Sequence, residues 1–325
     1  MNKVDFARHQ LVVHQSHSLV VQEDLVAVII NVVNHICAHA VNLFPVRENL
    51  VYLGDNLAIL KQLPDQSVDL IYIDPPFNTG RTQERKTRKS ELSLDGTAGF
   101  KGKNYRQIVE RVISYDDAFV DYWEFLLPRL IEAKRLLKDT GTLYLHLDYR
   151  EAHYAKVMLD ELFGRHNFLN EIIWAYDYGG KSKGRWPSKH DTILVYVKDP
   201  KKYFFDSSSV DREPYMAPGL VTKEKAELGK LPTDVWWHTI VSPTGKEKTG
   251  YPTQKPIGIL RRIIQASSKP GDLVLDFFAG SGTTAFVAAD LGRSFIAIDK
   301  SPESIAVITE RLGAASVKYR LVAEN

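Results

Sequence analysis

The residues with the clearest potential for chemistry lie in the stretch IYIDPPFNTG, residues 71–80. An apolar run typical of a buried strand ends there at Asp74, which two prolines and Phe77 follow. Proline fixes φ, lacks an N–H group and drives the preceding residue towards extended geometry. The stretch therefore predicts a carboxylate and an aromatic ring held on a stiff backbone at a strand end.

A second chemical signature lies in LDFFAGSGTT, residues 275–284. Gly280 and Gly282 let the backbone turn tightly and approach a ligand closely. Asp299 ends the next predicted strand, where an acid can accept hydrogen bonds from ribose hydroxyls. This order of strand, turn, helix, strand and acid indicates a nucleoside-containing cofactor. Alanine occupies the third glycine position of the dinucleotide fingerprint, and because that fingerprint also accepts alanine, this position does not decide between cofactors. No Walker lysine follows the turn, which counts against ATP.

Regularly alternating strands and helices, predicted from Leu50 onward, must position these two signatures. Apolar stretches predict the strands LVYLGD, VDLIYID, GTLYLHLD, DLVLDFF and SFIAID, while NEIIWAYDY and HDTILVYVKD predict a hairpin. Helical periodicity predicts helices in NLAILKQL, DYWEFLLPRLIEAKRLLKD, REAHYAKVMLDELF, IGILRRIIQASS and PESIAVITERL, and another near Thr283. The alternation predicts an α/β fold with a mostly parallel sheet covered on both faces.

Composition narrows the class of protein. With 325 residues, 44% of them hydrophobic, the chain can build one large domain or two modest ones. The single cysteine, Cys37, excludes an internal disulfide, suits a cytoplasmic location and lacks companions for a thiolate metal site. Residues 1–47 are apolar, but asparagines and histidines interrupt them, so we expect a packing extension and no membrane span.

Positive charge is concentrated in two segments, although the net charge is only +2. Residues 81–111 contain nine Lys or Arg against four Asp or Glu, and residues 181–205 contain seven against two, a net of +5 in each. Two solvated loops would look the same, but a duplex phosphate backbone is the partner that such segments favour. The candidate phosphate contacts are Arg81, Arg85, Lys86, Lys181, Lys183, Arg185 and Lys189.

Taken together, DPPF at 74–77 and FAGSGTT at 278–284 resemble the motifs of the amino-group DNA methyltransferases. Gly54-Asp55 and TQKP at Thr253–Pro256 also match, and the resemblance covers about residues 48–315. The motif order resembles the permuted, or beta, class of that family. It implies a Rossmann-like S-adenosylmethionine-dependent methyltransferase sheet, mostly parallel with one reversed edge strand.

The resemblance also implies roles for the motif residues. The Asp74 carboxylate and the Pro75 carbonyl would accept the N–H groups of the target amine. Pro76 would help to keep these acceptors rigid, and Phe77 would stack on a flipped base. No metal is needed, because the sulfonium methyl is already activated. The residues implied to bind S-adenosyl-L-methionine are Asp55, Asn56, Lys255, Asp276, Phe278, Gly280, Ser281, Gly282, Thr283, Thr284 and Asp299.

Several readings of the target remain open at this level. An aspartate in the first motif position is commoner in the adenine-N6 enzymes of the family, so we expect adenine rather than cytosine N4. RNA adenine methylation and a catalytically silent DNA-binding relative are further alternatives. Cytosine C5 methylation is excluded, because it needs a cysteine nucleophile next to a proline, and Cys37 follows Ile36 far from every motif.

The same resemblance predicts the organisation of the chain and its partners. We expect an extension at 1–47, a catalytic half at 48–199 with a basic insert at 81–118, a target-recognition region at 200–247 and a cofactor-binding half at 248–325. The expected partner is double-stranded DNA. A homodimer and a cognate restriction endonuclease of a restriction-modification system are further expectations.

Overall fold

The computed structural model describes residues 48–80, 83–98, 104–115, 117, 119, 121–179, 181–242 and 244–323, and for 83–98 and 104–115 it describes the backbone. The predicted apolar extension at residues 1–47 lies outside the described residues. All the strands and helices predicted above are present. The sequence patterns missed two long strands in the basic insert and three short elements nearer the carboxyl terminus.

The described residues contain eleven strands and seven α-helices. The strands are β1 (Leu50–Leu53), β2 (Val68–Ile73), β3 (Gln83–Ala98), β4 (Asn104–Tyr115), β5 (Leu137–Leu147), β6 (Phe168–Ala175), β7 (His190–Val197), β8 (Val235–Trp237), β9 (Leu273–Asp276), β10 (Ser294–Asp299) and β11 (Arg320–Ala323). The helices are α1 (Asn56–Leu60), α2 (Tyr122–Leu136), α3 (Ala152–Phe163), α4 (Lys223–Leu228), α5 (Ile257–Ser267), α6 (Thr283–Asp290) and α7 (Pro302–Ala314).

Nine of these strands form one sheet in the order β11-β1-β10-β9-β2-β5-β7-β6-β8. Neighbouring strands are parallel except where β7 pairs with β5 and β6. The mostly parallel sheet with one reversed strand is therefore confirmed, as is the β6–β7 hairpin. The reversed strand is not at the edge, however, because β6 and β8 continue the sheet beyond it.

The sheet is covered on both faces, which explains its apolar strands. All six residues of β2 are buried, and even Asp69 is satisfied by Lys138 and the Leu273 N–H. Helices α5, α6 and α7 pack on one face, where Leu70 and Tyr72 share their core. Successive strand residues point to opposite faces, so Ile71 and Ile73 lie on the other face, the side of α2.

The strand order creates a crevice between β9 and β2. These strands are neighbours, but the chain leaves β9 towards β10 on one side and β2 towards β5 on the other. Ligands of open α/β sheets bind outside the carboxyl ends of strands at such a switch point. Asp74 follows β2 and Asp276 ends β9, so the fold brings the two sequence signatures to this crevice.

The basic insert contains two strands that the sequence analysis did not predict. Strands β3 and β4 pair antiparallel as a two-stranded sheet of their own. The base of this hairpin is tied to the segment after Phe77, because Asp117 accepts hydrogen bonds from the Asn78 N–H at 2.6 Å and the Thr79 hydroxyl at 2.6 Å. The side chains of Arg85 and Lys86 on β3, and the whole of Arg81, lie outside the described part of the chain.

Candidate active site

Asp74 is held in the crevice by an ion pair. Its Oδ2 contacts the Lys255 ammonium, and the two side chains are only 17% and 10% exposed. The Lys255 ammonium also lies 5.0 Å from the ring centroid of Phe77. The second carboxylate oxygen, Oδ1, is buried and has no hydrogen-bond partner among the described residues. The motif thus presents one paired and one unpaired carboxylate oxygen.

Phe77 contacts a chain of hydrogen-bonded, buried side chains that the sequence analysis missed. The fully buried His146 ring lies 5.9 Å from the Phe77 ring, and its Nδ1 is 2.8 Å from the Tyr72 hydroxyl. Its Nε2 is 3.2 Å from Asp191, which also accepts the Tyr176 hydroxyl. A carboxylate only accepts hydrogen bonds, so Nε2 donates to Asp191, and in a neutral imidazole Nδ1 then accepts from Tyr72. This chain fixes the ring that supports Phe77.

Two glycines shape the turn after β9. Gly280 has φ +51° and Gly282 has φ +69°, values that side chains rarely adopt. A Cβ on Gly282 would lie 2.8 Å from Ile308 Cγ1, and one on Gly280 would lie 3.1 Å from the Tyr251 ring. Close packing on both glycines therefore forces the backbone to form the wall of the crevice.

The acid predicted to bind ribose also shapes this turn. Asp299 accepts the Gly280 N–H at 2.8 Å on one oxygen and the Ser301 N–H at 2.9 Å on the other. Burial raises the pKa of Asp299, and these two backbone hydrogen bonds oppose that increase. A carboxylate has about four acceptor positions, so Asp299 keeps capacity for ligand hydroxyls.

Asp276 has a bracing role in the structure. Its oxygens accept the Thr284 hydroxyl at 2.6 Å and the Phe278 N–H at 3.0 Å. Burial raises the pKa of Asp276 to about 7, and the nearby Asp74 and Asp299 carboxylates add to the increase. Asp276 therefore ties the turn to helix α6 and is partly protonated near neutrality.

Two arginines that were not predicted support the site, Arg129 buried and Arg311 partly buried. Arg129 donates to Asp55 at 3.0 Å and to Asn56 at 2.5 Å, while Asn56 donates to the Phe277 carbonyl. The position of Arg129 is detectable in the sequence, because this residue falls among the apolar residues of the inward face of α2. Burial lowers the pKa of Arg129 despite the Asp55 charge.

The second arginine, Arg311, supports the glycine turn from α7. It donates to the Ser281 carbonyl at 2.9 Å and to the Thr283 hydroxyl at 2.7 Å. Burial lowers its pKa to about 10, although the Glu247 charge acts against that. Thr283 also donates to the Lys255 carbonyl at 3.2 Å. Helix α7, the glycine turn and the Lys255 segment therefore form one connected framework.

The structure brings nearly all the predicted catalytic and cofactor residues together around one pocket. The exception is Gly282, which does not line the pocket and packs against Ile308. Aromatic side chains missed by the sequence analysis form another wall, with Phe119 4.7 Å from Phe125 and Phe125 5.9 Å from Phe278 between ring centroids. The predicted residues that line the pocket are Asp55, Asn56, Asp74, Pro75, Pro76, Phe77, Lys255, Asp276, Phe278, Gly280, Ser281, Thr283, Thr284 and Asp299.

The second basic segment lies at the same edge of the sheet. Residues 176–189 connect β6 to β7, and β7 starts beside the carboxyl end of β5, where Leu147 pairs with Thr192. Lys181, Lys183 and Arg185 are exposed there. Lys189 differs, because its ammonium donates to the carbonyls of Asp177 and Gly179 and so closes the loop.

Comparison with known proteins identifies the family of this chain. The family described as DNA methylase, of the N6 and N4 type, matches residues 68–310. The Escherichia coli (strain K12) DNA adenine methyltransferase YhdJ is 35% identical over 271 residues, 81% of this chain and 82% of that protein. The type II methyltransferase M.HpaI of Haemophilus parainfluenzae is 35% identical, covering 78% and 70% of the two chains. The chain belongs to the N6/N4 DNA methylase family, as its motifs predict.

Solved structures of similar fold agree with the architecture. The cytosine-N4-specific PvuII DNA methyltransferase aligns with a TM-score of 0.57 and 18% identity, covering 81% of this chain and 86% of that one. The M1.HpyAVI–SAM complex aligns with a TM-score of 0.52 and 23% identity, covering 81% and 98%. The Rossmann-like methyltransferase fold class is thereby confirmed.

Two kinds of feature are absent from the described residues. None of their helices combines the length and the hydropathy that crossing a bilayer requires. No group of three or more His, Cys, Asp or Glu side chains in this part of the chain could hold a metal ion.

We predict that Gly282→Ala destabilises the protein more than Gly271→Ala. Both glycines have positive φ, but a Cβ on Gly271 meets nothing within 4 Å, whereas one on Gly282 collides with Ile308. Overpacking should add about 1–3 kcal/mol to the backbone strain shared by both variants. Urea denaturation of the two variants measures the difference, and equal destabilisation would show that the contact with Ile308 can relax.

We also predict that Asp276→Asn changes the pH dependence of stability. The folded-state pKa of Asp276, about 7, exceeds its ordinary value of 3.8, so its protonated form is favoured by folding. The contribution of this group to stability is therefore fully present below pH 3.8 and is lost as the pH rises through 7. Asparagine resembles the protonated acid and does not ionise. As the pH rises from 5 to 8, the free energy of unfolding of the variant should therefore increase by about 2 kcal/mol relative to that of the wild type. Denaturant titrations across this range measure the gain. Asp177→Asn, which changes an exposed acid, should follow the wild type at every pH.

Proposed function

We propose that this protein transfers a methyl group from S-adenosyl-L-methionine to the exocyclic N6 amine of a flipped adenine in double-stranded DNA. The observation that carries the proposal is Asp74 at the carboxyl end of β2, in the same pocket as the glycine turn and Asp299. The adenine specificity in the name of the 35% identical YhdJ supports adenine over cytosine.

The pocket fits this cofactor. Gly280 has no side chain and lines the pocket, so a ligand can approach the backbone of the turn closely. Asp299 has acceptor capacity for ribose hydroxyls, and Phe278 adds an aromatic wall. Lys255 supplies a positive charge for a carboxylate. When bound, S-adenosyl-L-methionine supplies a methyl group activated by its sulfonium charge.

Asp74 would activate the target amine. The lone pair of an adenine amine is delocalised into the ring, so the nitrogen is a poor nucleophile. Accepting its two N–H groups on the Asp74 carboxylate and the Pro75 carbonyl favours a tetrahedral nitrogen with an available lone pair. Because Pro75 and Pro76 prevent backbone relaxation, these acceptors are oriented before the base arrives, and preorganised polar groups lower a barrier most effectively.

Phe77 would hold the extruded base. Removing a base from the duplex costs a few kcal/mol, and stacking on an aromatic ring offsets part of that cost. The contact of His146 with Phe77, and the hydrogen bonds that join His146 to Tyr72 and Asp191, keep the ring in position. Tyr176 links this chain to the start of the basic 176–189 loop, so DNA contacts there would adjoin the catalytic ring.

The DNA would lie along the carboxyl-end edge of the sheet. Lys181, Lys183 and Arg185 place positive charge at this edge, suited to phosphates. The same loop carries Trp186, 94% exposed, and β8 ends in Trp237, 68% exposed. Exposed indoles beside a basic loop suit contacts with bases as well as phosphates. Base flipping, a homodimer, a partner restriction endonuclease and a cytoplasmic location stay predictions from the resemblance.

Single-molecule sequencing of DNA from cells expressing the protein tests the proposed reaction. We expect N6-methyladenine at one recognition sequence in cells with the wild type and none with Asp74→Ala. In vitro, Asp74→Ala should lower kcat about 100- to 1,000-fold, because a preorganised acceptor is lost. Asp65→Ala, an exposed acid near the opposite edge, is the matched control and should keep wild-type kcat. Methylation at cytosine N4 instead would overturn the choice of adenine.

We predict that replacing Lys181, Lys183 and Arg185 together by alanine weakens DNA binding and its salt dependence. Each lost phosphate contact should reduce the slope of log K against log salt by about 0.9, so the slope should fall by roughly 2–3. Fluorescence anisotropy at several salt concentrations measures it. Exposed lysines near the opposite edge provide the control triple variant, and a slope that changes equally in both variants would place the DNA elsewhere. The control lysines are Lys61, Lys201 and Lys202.

A further inference from the structure

Lys255 occupies both groups that the proposed reaction reserves for the target base. Its ammonium pairs with Asp74 Oδ2 and lies 5.0 Å from the centroid of the Phe77 ring. An ammonium donates N–H bonds to a carboxylate and is attracted to an aromatic face. Lys255 therefore imitates the amine that Asp74 would accept during catalysis.

The other oxygen of the Asp74 carboxylate is enclosed by the protein. Oδ1 is buried, with no hydrogen-bond partner among the described residues. Both side chains of the ion pair are also largely buried, so water cannot readily replace either partner. The ammonium at Oδ2 also lies over the Phe77 ring, so an amine carried by a base stacked on that ring competes with Lys255 for Asp74.

The cofactor side of the pocket offers Lys255 an alternative partner. The Lys255 carbonyl accepts a hydrogen bond from the Thr283 hydroxyl. Thr283 is the first residue of helix α6, directly after the glycine turn. The backbone of Lys255 is thus anchored to the cofactor wall, while its side chain reaches the catalytic acid. An anionic group bound along that wall would compete with Asp74 for the ammonium. The amino-acid carboxylate of S-adenosyl-L-methionine is such a group.

The other cations that line the described pocket are less suited to this exchange. The Arg129 guanidinium is occupied by Asp55, Asn56 and its own helix. Lys300 follows the acid assigned to ribose rather than contacting the catalytic acid. Lys255 is the pocket cation whose present partner is Asp74.

We propose that Lys255 is a positioning residue that couples the two binding steps. It holds Asp74 until the carboxylate of the cofactor takes its ammonium, and this exchange frees Asp74 to accept the target amine. The identities of both ligands rest on the proposed function. Because coupling between two sites is reciprocal, a base bound at Asp74 would also strengthen cofactor binding.

Calorimetric titration without DNA tests the exchange. The probes are S-adenosylhomocysteine and its decarboxylated counterpart, S-adenosyl-3-thiopropylamine. Lys255→Met should weaken S-adenosylhomocysteine binding about tenfold or more, within the usual range of coupling between sites, and leave the decarboxylated compound unchanged. Asp74→Asn should strengthen S-adenosylhomocysteine binding several-fold, because Lys255 no longer has a competing charge. It should not affect the decarboxylated compound.

Three variants make the result decisive. Lys255→Arg keeps the charge and should retain much of the preference for the carboxylate, even if Lys255→Met fails to fold. Lys61→Met and the ion-paired surface variant Lys202→Met should bind both compounds as the wild type does. Unchanged or weaker S-adenosylhomocysteine binding by Asp74→Asn would overturn the exchange, as would equal losses for both compounds in Lys255→Met.

The outcome is independent of the proposed reaction. These titrations contain no DNA, so failure of the exchange leaves the sequencing experiment on the wild-type protein unaffected. Absence of methylated adenine would, in turn, leave the affinities for the two compounds unchanged.

Discussion

The site depends on keeping three carboxylates together at one edge of the sheet. Asp74, Asp276 and Asp299 follow or end β2, β9 and β10, and burying charged groups is costly unless each is compensated. The structure compensates them in three different ways. Asp74 pairs with Lys255, Asp299 accepts two backbone N–H groups, and Asp276 accepts two hydrogen bonds while its pKa rises to about 7.

These different compensations separate the roles of the acids. Asp276 and Asp299 accept hydrogen bonds from the glycine turn and the start of α6, so they form the framework that shapes a cofactor pocket. Asp74 supports no part of the turn, and its hydrogen-bond partner among the described residues is the Lys255 ammonium. A carboxylate whose partner can be exchanged is suited to binding a transient ligand. This contrast supports Asp74 as the acid that meets the substrate.

The DPPF segment is also connected to the surfaces proposed to meet DNA. Downstream of Phe77, Asn78 and Thr79 bind Asp117 at the base of the β3–β4 hairpin. Behind Phe77, the chain through His146 and Asp191 reaches the beginning of the 176–189 loop. Both basic segments therefore adjoin the DPPF motif through hydrogen bonds.

Local patterns in the sequence determined the alternating strands and helices, the two strand-end acids and the glycine turn, because hydrophobic periodicity, proline and glycine act within a few residues. They also determined the family, which the match over residues 68–310 establishes. Tertiary structure alone decided that Lys255 pairs with Asp74, 181 residues away, and that His146 supports Phe77. It likewise decided that β7 lies inside the sheet and that the insert pairs as a hairpin. Such pairings depend on which strand ends the sheet order brings together, and no local pattern encodes that.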